Sequence, residues 1–173
     1  MAEERKGAVT MRGNPLTLVG PELKAGDAAP DVKLLTTALQ EVGVRPQGKV
    51  RIVSVVPSLD TPVCDQQTKR FNEEASKLPD DIEIVSVSAD LPFAAARWGQ
   101  ANGADRLEYL SDHRDMAFGD AFGVRVKELR LDARSVFVID REGKLRHAQY
   151  VKEIAEHPDY EAALQAARQA AGS

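Results

Sequence analysis

Cysteine is what this sequence has least of: Cys64 is the one example among 173 residues. One thiol excludes an internal disulfide, a C-x-x-C redox pair and any zinc site built from several thiolates. Histidine is scarce too. His113, His147 and His157 are scattered and match no metal-ligand spacing, so they read as surface or half-buried side chains. A surplus of positive charge is also missing, and a net charge of −4 argues against a nucleic-acid partner. No apolar run is long enough to span a bilayer, which argues against a membrane partner. The opening MAEERKGAVT is charged and lacks the apolar stretch of a secretory signal, so the expected location is the cytoplasm.

What remains is ordinary for a globular chain: 43% hydrophobic and 29% charged residues. The length suits one domain with a sizeable core, read as residues 1–173. No internal repeat or low-complexity linker divides it. AVTMR and PLTLVG, around the turn signal at Gly13–Pro15, predict an N-terminal hairpin, and the rest of the N-terminal third reads as short strands with turns. VRIVSVV (Val50–Val56), IEIVSVS (Ile82–Ser88) and SVFVID (Ser135–Asp140) are β-branched runs without clean alternation, as in strands buried on both faces. LRHAQYV (Leu145–Val151) follows the turn REGK as a hairpin partner. Helices are predicted over Cys64–Leu78, Phe93–Gln100, Met116–Phe122 (stopped by Gly123) and Asp159–Ala171. This order predicts an α/β fold with a central mixed sheet flanked by helices, and a thioredoxin-like arrangement fits it.

Cys64 stands in PSLDTPVC, directly after the first of the buried strands. With Thr61 as N-cap, Pro62 falls at N1 and Cys64 at N3. Its sulfur then lies near free backbone N–H groups and the positive end of the helix dipole, a setting that favours thiolate over thiol. It also lies beyond the C-terminal end of a central strand, where open α/β sheets place their sites. A lone cysteine without context reads as a small buried hydrophobe; the TPVC start of a helix shifts the balance toward function. Thr61 can be a cap and Pro57 a strand terminator, with function an equal alternative for both. Arg134 shares side-chain parity with Val136 and Val138. It is either a surface cap or a functional cation, and the cap is the simpler reading.

The motif resembles a known one. PSLDTPVC matches the P-x-x-x-T-x-x-C active-site motif of peroxiredoxins. SADLPFA (Ser88–Ala94), HPDYEAAL (His157–Leu164) and GNPLTLVG (Gly13–Gly20) are similar to segments of the bacterial thiol peroxidase subfamily. Together they run over nearly the whole chain. The resemblance implies a thioredoxin-like peroxiredoxin fold, a homodimer, and reduction of hydroperoxides without metal or organic cofactor. It implies that Cys64 is the peroxidatic cysteine, that Thr61 orients peroxide and thiolate, that Pro57 shields the sulfur, and that Arg134 stabilises the thiolate and the O–O transition state.

One departure stands out. The subfamily carries a resolving cysteine in the helix after SADLPFA, and the matching position here is Gly99. With one cysteine, internal resolution is chemically impossible, so the expected reductant is an external thiol, either a thioredoxin-like protein or a small thiol. The alternative is a non-enzymatic redox sensor or binding protein on the same fold. Turnover separates the two, since a sensor oxidises once per chain.

Overall fold

The computed structural model of the protein describes residues 3–172. Strands β1 (Glu4–Met11) and β2 (Asn14–Val19) form the antiparallel N-terminal hairpin. Arg12 and Gly13 join them, both at positive φ (51° and 82°), the conformation of the two-residue turn whose twist matches paired strands. Two short strands follow, β3 (Lys33–Leu35) and β4 (Glu41–Gly43). Then come β5 (Val50–Val55), α1 (Pro62–Ala75), β6 (Ile82–Ser88), α2 (Pro92–Ala101), β7 (Glu108–Ser111) and α3 (Ala117–Phe122). The chain finishes with β8 (Arg125–Val126), β9 (Leu131–Asp132), β10 (Ser135–Ile139), β11 (Leu145–Tyr150) and α4 (Tyr160–Gly172).

Seven strands make the main sheet in the order β11-β10-β5-β6-β7-β3-β4, and β1, β2, β8 and β9 make a second, smaller one. β5 runs parallel to β6, and β6 to β7, while β10 is antiparallel to β5. The sheet is therefore mixed and its centre buried. Every residue of β5 is buried, because successive side chains serve two different cores. Val50 and Ile52 pack with Val136 and Val138 against α1, α2 and α4. Val53 and Val55 pack with Phe137 and Ile139 against the hairpin and α3. That two-sided burial is why these runs lack alternation.

The expected hairpins and buried strands stand where the sequence places them, and the helices differ at their ends. α1 begins at Pro62, where the Thr61 cap and Pro62 place it and two residues before the start of the predicted span, and ends at Ala75. The last three expected residues form tight turns instead, with Ser76 N–H on the Glu73 carbonyl and Lys77 N–H on that of Glu74. Leu78 still packs on the core from there. α3 starts one residue late because Met116 adopts a left-handed conformation, φ 55°, and Gly123 ends it at φ 71° as expected. β7 was not foreseen. Four residues carry too little pattern on their own, and it is the parallel pairing with β6 that makes EYLS a strand.

Candidate active site

β5 delivers the chain to the site. Beyond Val55 it continues through buried Val56 and Pro57, turns through Ser58–Asp60 and enters α1. Thr61 has extended backbone angles (φ −131°, ψ 152°), Pro62 takes the first helical position, and Cys64 therefore stands at the third. Cys64, Gln67, Thr68 and Phe71 are the fully buried residues of the inward stripe of α1, spaced at three and four residues as one helix face requires. Phe71 anchors that face with an apolar burial worth roughly 1.5–3 kcal/mol, and it meets Tyr160 of α4 edge to face at 5.3 Å. The dipole end and free N–H groups of the first turn thus lie beside a sulfur with 0% exposure.

Arg134 comes to the same sulfur from 70 residues away. Parity along β10 puts it on the face of Val136 and Val138, under α1 and α4, and it is 2% exposed. This excludes the surface-cap reading. Its Nη2 donates to Cys64 Sγ at 3.4 Å, Nη1 to Gln67 Oε1 at 3.0 Å and Nε to the Ile154 carbonyl at 2.8 Å. Among the described residues it has no carboxylate within ion-pair distance; all ten ion pairs lie elsewhere. A buried cation needs a counter-charge or a full set of acceptors. The acceptors here are a carbonyl, an amide oxygen and the sulfur, and of these only the sulfur can become an anion.

Gln67 was missed by sequence reasoning. Its side-chain amide donates to Ser54 Oγ at 2.8 Å while its oxygen takes the Arg134 bond, so it ties β5, α1 and the guanidinium together. The available signal was a polar residue three positions after Cys64, on a face that should be apolar. Asp90, of SADLPFA, was missed as well. Its carboxylate accepts hydrogen bonds from Ser58 Oγ, Leu59 N–H and Ser88 Oγ, each at 2.8 Å, and so holds the loop that leads to α1.

Pro57 is buried at the start of that loop, while Thr61 is exposed at its end. Thr61 is the N-cap by backbone geometry, yet its side chain does not cap the helix. Its hydroxyl instead donates to the Ser58 carbonyl at 2.9 Å. The helix therefore does not occupy this hydroxyl.

Gly99 lies on the buried face of α2 against β7. A Cβ there would stand 2.9 Å from a ring carbon of Tyr109, closer than side chains tolerate. Tyr109 is itself fixed by a 2.6 Å bond from its hydroxyl to the Ala104 carbonyl. Burial, with Asp105 nearby, pushes its phenol up to about 12. The ring fills the space that a side chain at position 99 would take.

The chain is similar to known proteins over most of its length. The Redoxin family model matches residues 24–164. The thiol peroxidase of Bacillus subtilis is 58% identical over 161 residues, covering 92% of this chain and 96% of the relative. That of Halalkalibacterium halodurans is 51% identical over 164 residues, covering 94% and 98%. A crystal structure of a peroxiredoxin-like protein from Aquifex aeolicus superposes with a TM-score of 0.88 at 38% identity, over 95% of this chain and 98% of the other. With its Redoxin-type fold and a motif cysteine under a buried arginine, the chain belongs to the thiol peroxidase family of peroxiredoxins.

Proposed function

We propose that the protein is a one-cysteine thiol peroxidase that reduces hydrogen peroxide and organic hydroperoxides. The observation that carries this is the Arg134 guanidinium, buried without a carboxylate partner and 3.4 Å from Cys64 Sγ. In the reaction the Cys64 thiolate attacks the terminal peroxide oxygen. The S–O bond forms as the O–O bond breaks, the sulfur is oxidised by two electrons to sulfenic acid, and the released oxygen leaves as water or alcohol once protonated. Arg134 stays beside the charge as it moves from sulfur toward the leaving oxygen. A preorganised donor aimed at developing charge is usually the largest catalytic contribution. Thr61 at the mouth contacts the peroxide, and Pro57 keeps solvent from the sulfur.

Recycling uses an external thiol. It displaces water from the sulfenic acid to give a mixed disulfide, and a second thiol releases Cys64 as the thiol together with an external disulfide. The reading includes a single domain over residues 1–173, a homodimer and a cytoplasmic location; no helix among the described residues is long and apolar enough to cross a membrane. Steady-state peroxide consumption, assayed with thioredoxin and with several small thiols, tests it. Sustained turnover with at least one thiol is expected. A single oxidation per chain with every thiol would overturn the enzyme reading in favour of a sensor.

A further inference from the structure

We propose that Asp90 is a positioning residue for the peroxide step, acting through one peptide group to set which way the Thr61 hydroxyl points; this rests on the peroxidase reading above. The peptide between Ser58 and Leu59 is held at both ends. Its N–H donates to Asp90 Oδ2 at 2.8 Å, and its carbonyl accepts the Thr61 hydroxyl at 2.9 Å. In a planar trans peptide these two groups point in opposite directions. Clamping the N–H on Asp90 therefore aims the carbonyl at Thr61. A carboxylate on the N–H also polarises the peptide and makes its carbonyl a better acceptor.

The Thr61 proton is then committed to Ser58, and the lone pairs of Thr61 Oγ1 face outward. A hydroxyl in that state accepts, and a hydroperoxide brings an O–H to donate. Asp90 is itself braced. Its other oxygen takes the Ser58 hydroxyl at 2.8 Å, Ser88 Oγ donates to Oδ2 at 2.8 Å, and its backbone carbonyl accepts Ser111 Oγ of β7 at 2.5 Å. The brace runs from the ends of two neighbouring parallel strands, β6 and β7, to the loop. It is more rigid than a contact between loops, as a site that aims a donor or acceptor requires.

The test uses the full chain with Asp90→Asn, which keeps the shape but turns a donor toward groups that already donate. Asp90→Ala, which deletes the acceptor and adds no donor, is the second variant should the first not fold. Oxidation of Cys64 by hydrogen peroxide is followed by stopped flow per folded molecule, beside alkylation by iodoacetamide, which needs no peroxide orientation. Peroxide oxidation should slow by up to ~10²-fold, with alkylation within about twofold of wild type. In a Thr61→Val background the Asp90 change should slow oxidation no further. Equal slowing of alkylation, an unchanged peroxide rate, or the same added factor on top of Thr61→Val would overturn the role of Asp90. A wild-type sulfur that fails to react with peroxide would instead overturn the peroxidase reading itself.

Discussion

At the scale of single residues the site is a charge problem. Arg134 gives its N–H groups to a carbonyl, an amide oxygen and a sulfur, so the sulfur alone can supply the missing negative charge. Arg134→Met should slow oxidation of Cys64 by about 10²–10³-fold. Stability should change much less, since a buried cation leaves together with its desolvation cost while two acceptors lose a donor at about 1–3 kcal/mol each. Stopped flow beside a thermal melt decides between the roles; a lost fold with an unchanged rate per folded molecule would make Arg134 structural. Thr61 allows a sharper separation because its hydroxyl does not cap α1. Thr61→Val should lose most of the peroxide rate and only about 0.5–1.5 kcal/mol of stability, the value of one hydrogen bond, while Thr61→Ser keeps much of the rate. Equal rates in the two variants would show that the hydroxyl takes no part in the chemistry.

At the scale of elements, two contacts set expectations. Where α2 meets β7, Gly99 faces Tyr109 with no room for a Cβ. Alanine in a helix interior is better than glycine by ~1 kcal/mol, whereas overpacking a closed contact costs about 1–3 kcal/mol. Overpacking should win, so Gly99→Ala lowers the melting temperature, and Tyr109→Leu in the same chain reverses the sign. The second contact joins β9 to the end of β7. Asp132 is fully buried and Asp112 nearly so. Asp112 accepts the backbone N–H groups of Phe118 and Gly119 at 2.9 and 2.8 Å, and burial still raises it above the ordinary carboxyl range. Asp132 is held well above that range by burial first and then by the charge of Asp112, with Asp120 adding and Arg125 opposing. Burial therefore favours the protonated form of Asp132, whose two carboxyl oxygens are buried without a hydrogen-bond partner among the described residues. A folded value raised above the unfolded one, ~3.9, stabilises fully below that value and less as pH rises toward the folded one. Asp132→Asn keeps the shape of the side chain without taking up a proton. Its melting temperature should match wild type near pH 4 and exceed it increasingly as pH rises toward the folded value of Asp132. A variant that falls behind wild type as pH rises would show that Asp132 is ionised in the fold.

At the scale of the whole molecule, one thiol means that Cys64 carries all the thiol chemistry of the chain. Cys64 is 0% exposed and cannot reach its twin in a second copy without local unfolding of α1. Mass measurement of the Cys64 peptide should show one added oxygen after one equivalent of hydrogen peroxide, two after an excess, and a mixed disulfide when a small thiol is present. A quantitative disulfide-linked dimer formed without added thiol would replace external recycling by an intermolecular one.

The sequence by itself determined the strands around the site, because β-branched runs buried on both faces leave a composition that needs no tertiary context to read. It also determined the placement of Cys64 at the third position of α1, since a proline at the first helical position marks where the helix begins. The chain's one thiol likewise settled that no disulfide could form within it. What it could not determine were relations between distant residues. Parity aimed Arg134 at the right face of the sheet but left open whether that face was covered; α1 and α4 cover it, turning a possible surface cap into a buried cation beside sulfur. Gln67 and Asp90 look like ordinary polar residues until β10 and β6 lie on either side of β5. Thr61 looked like a helix cap, and only the fold of the Ser58–Asp60 turn gave its hydroxyl another acceptor. Local patterns record burial and backbone conformation residue by residue. Hydrogen-bond partners and counter-charges belong to pairs, and pairs exist only once the chain has closed on itself.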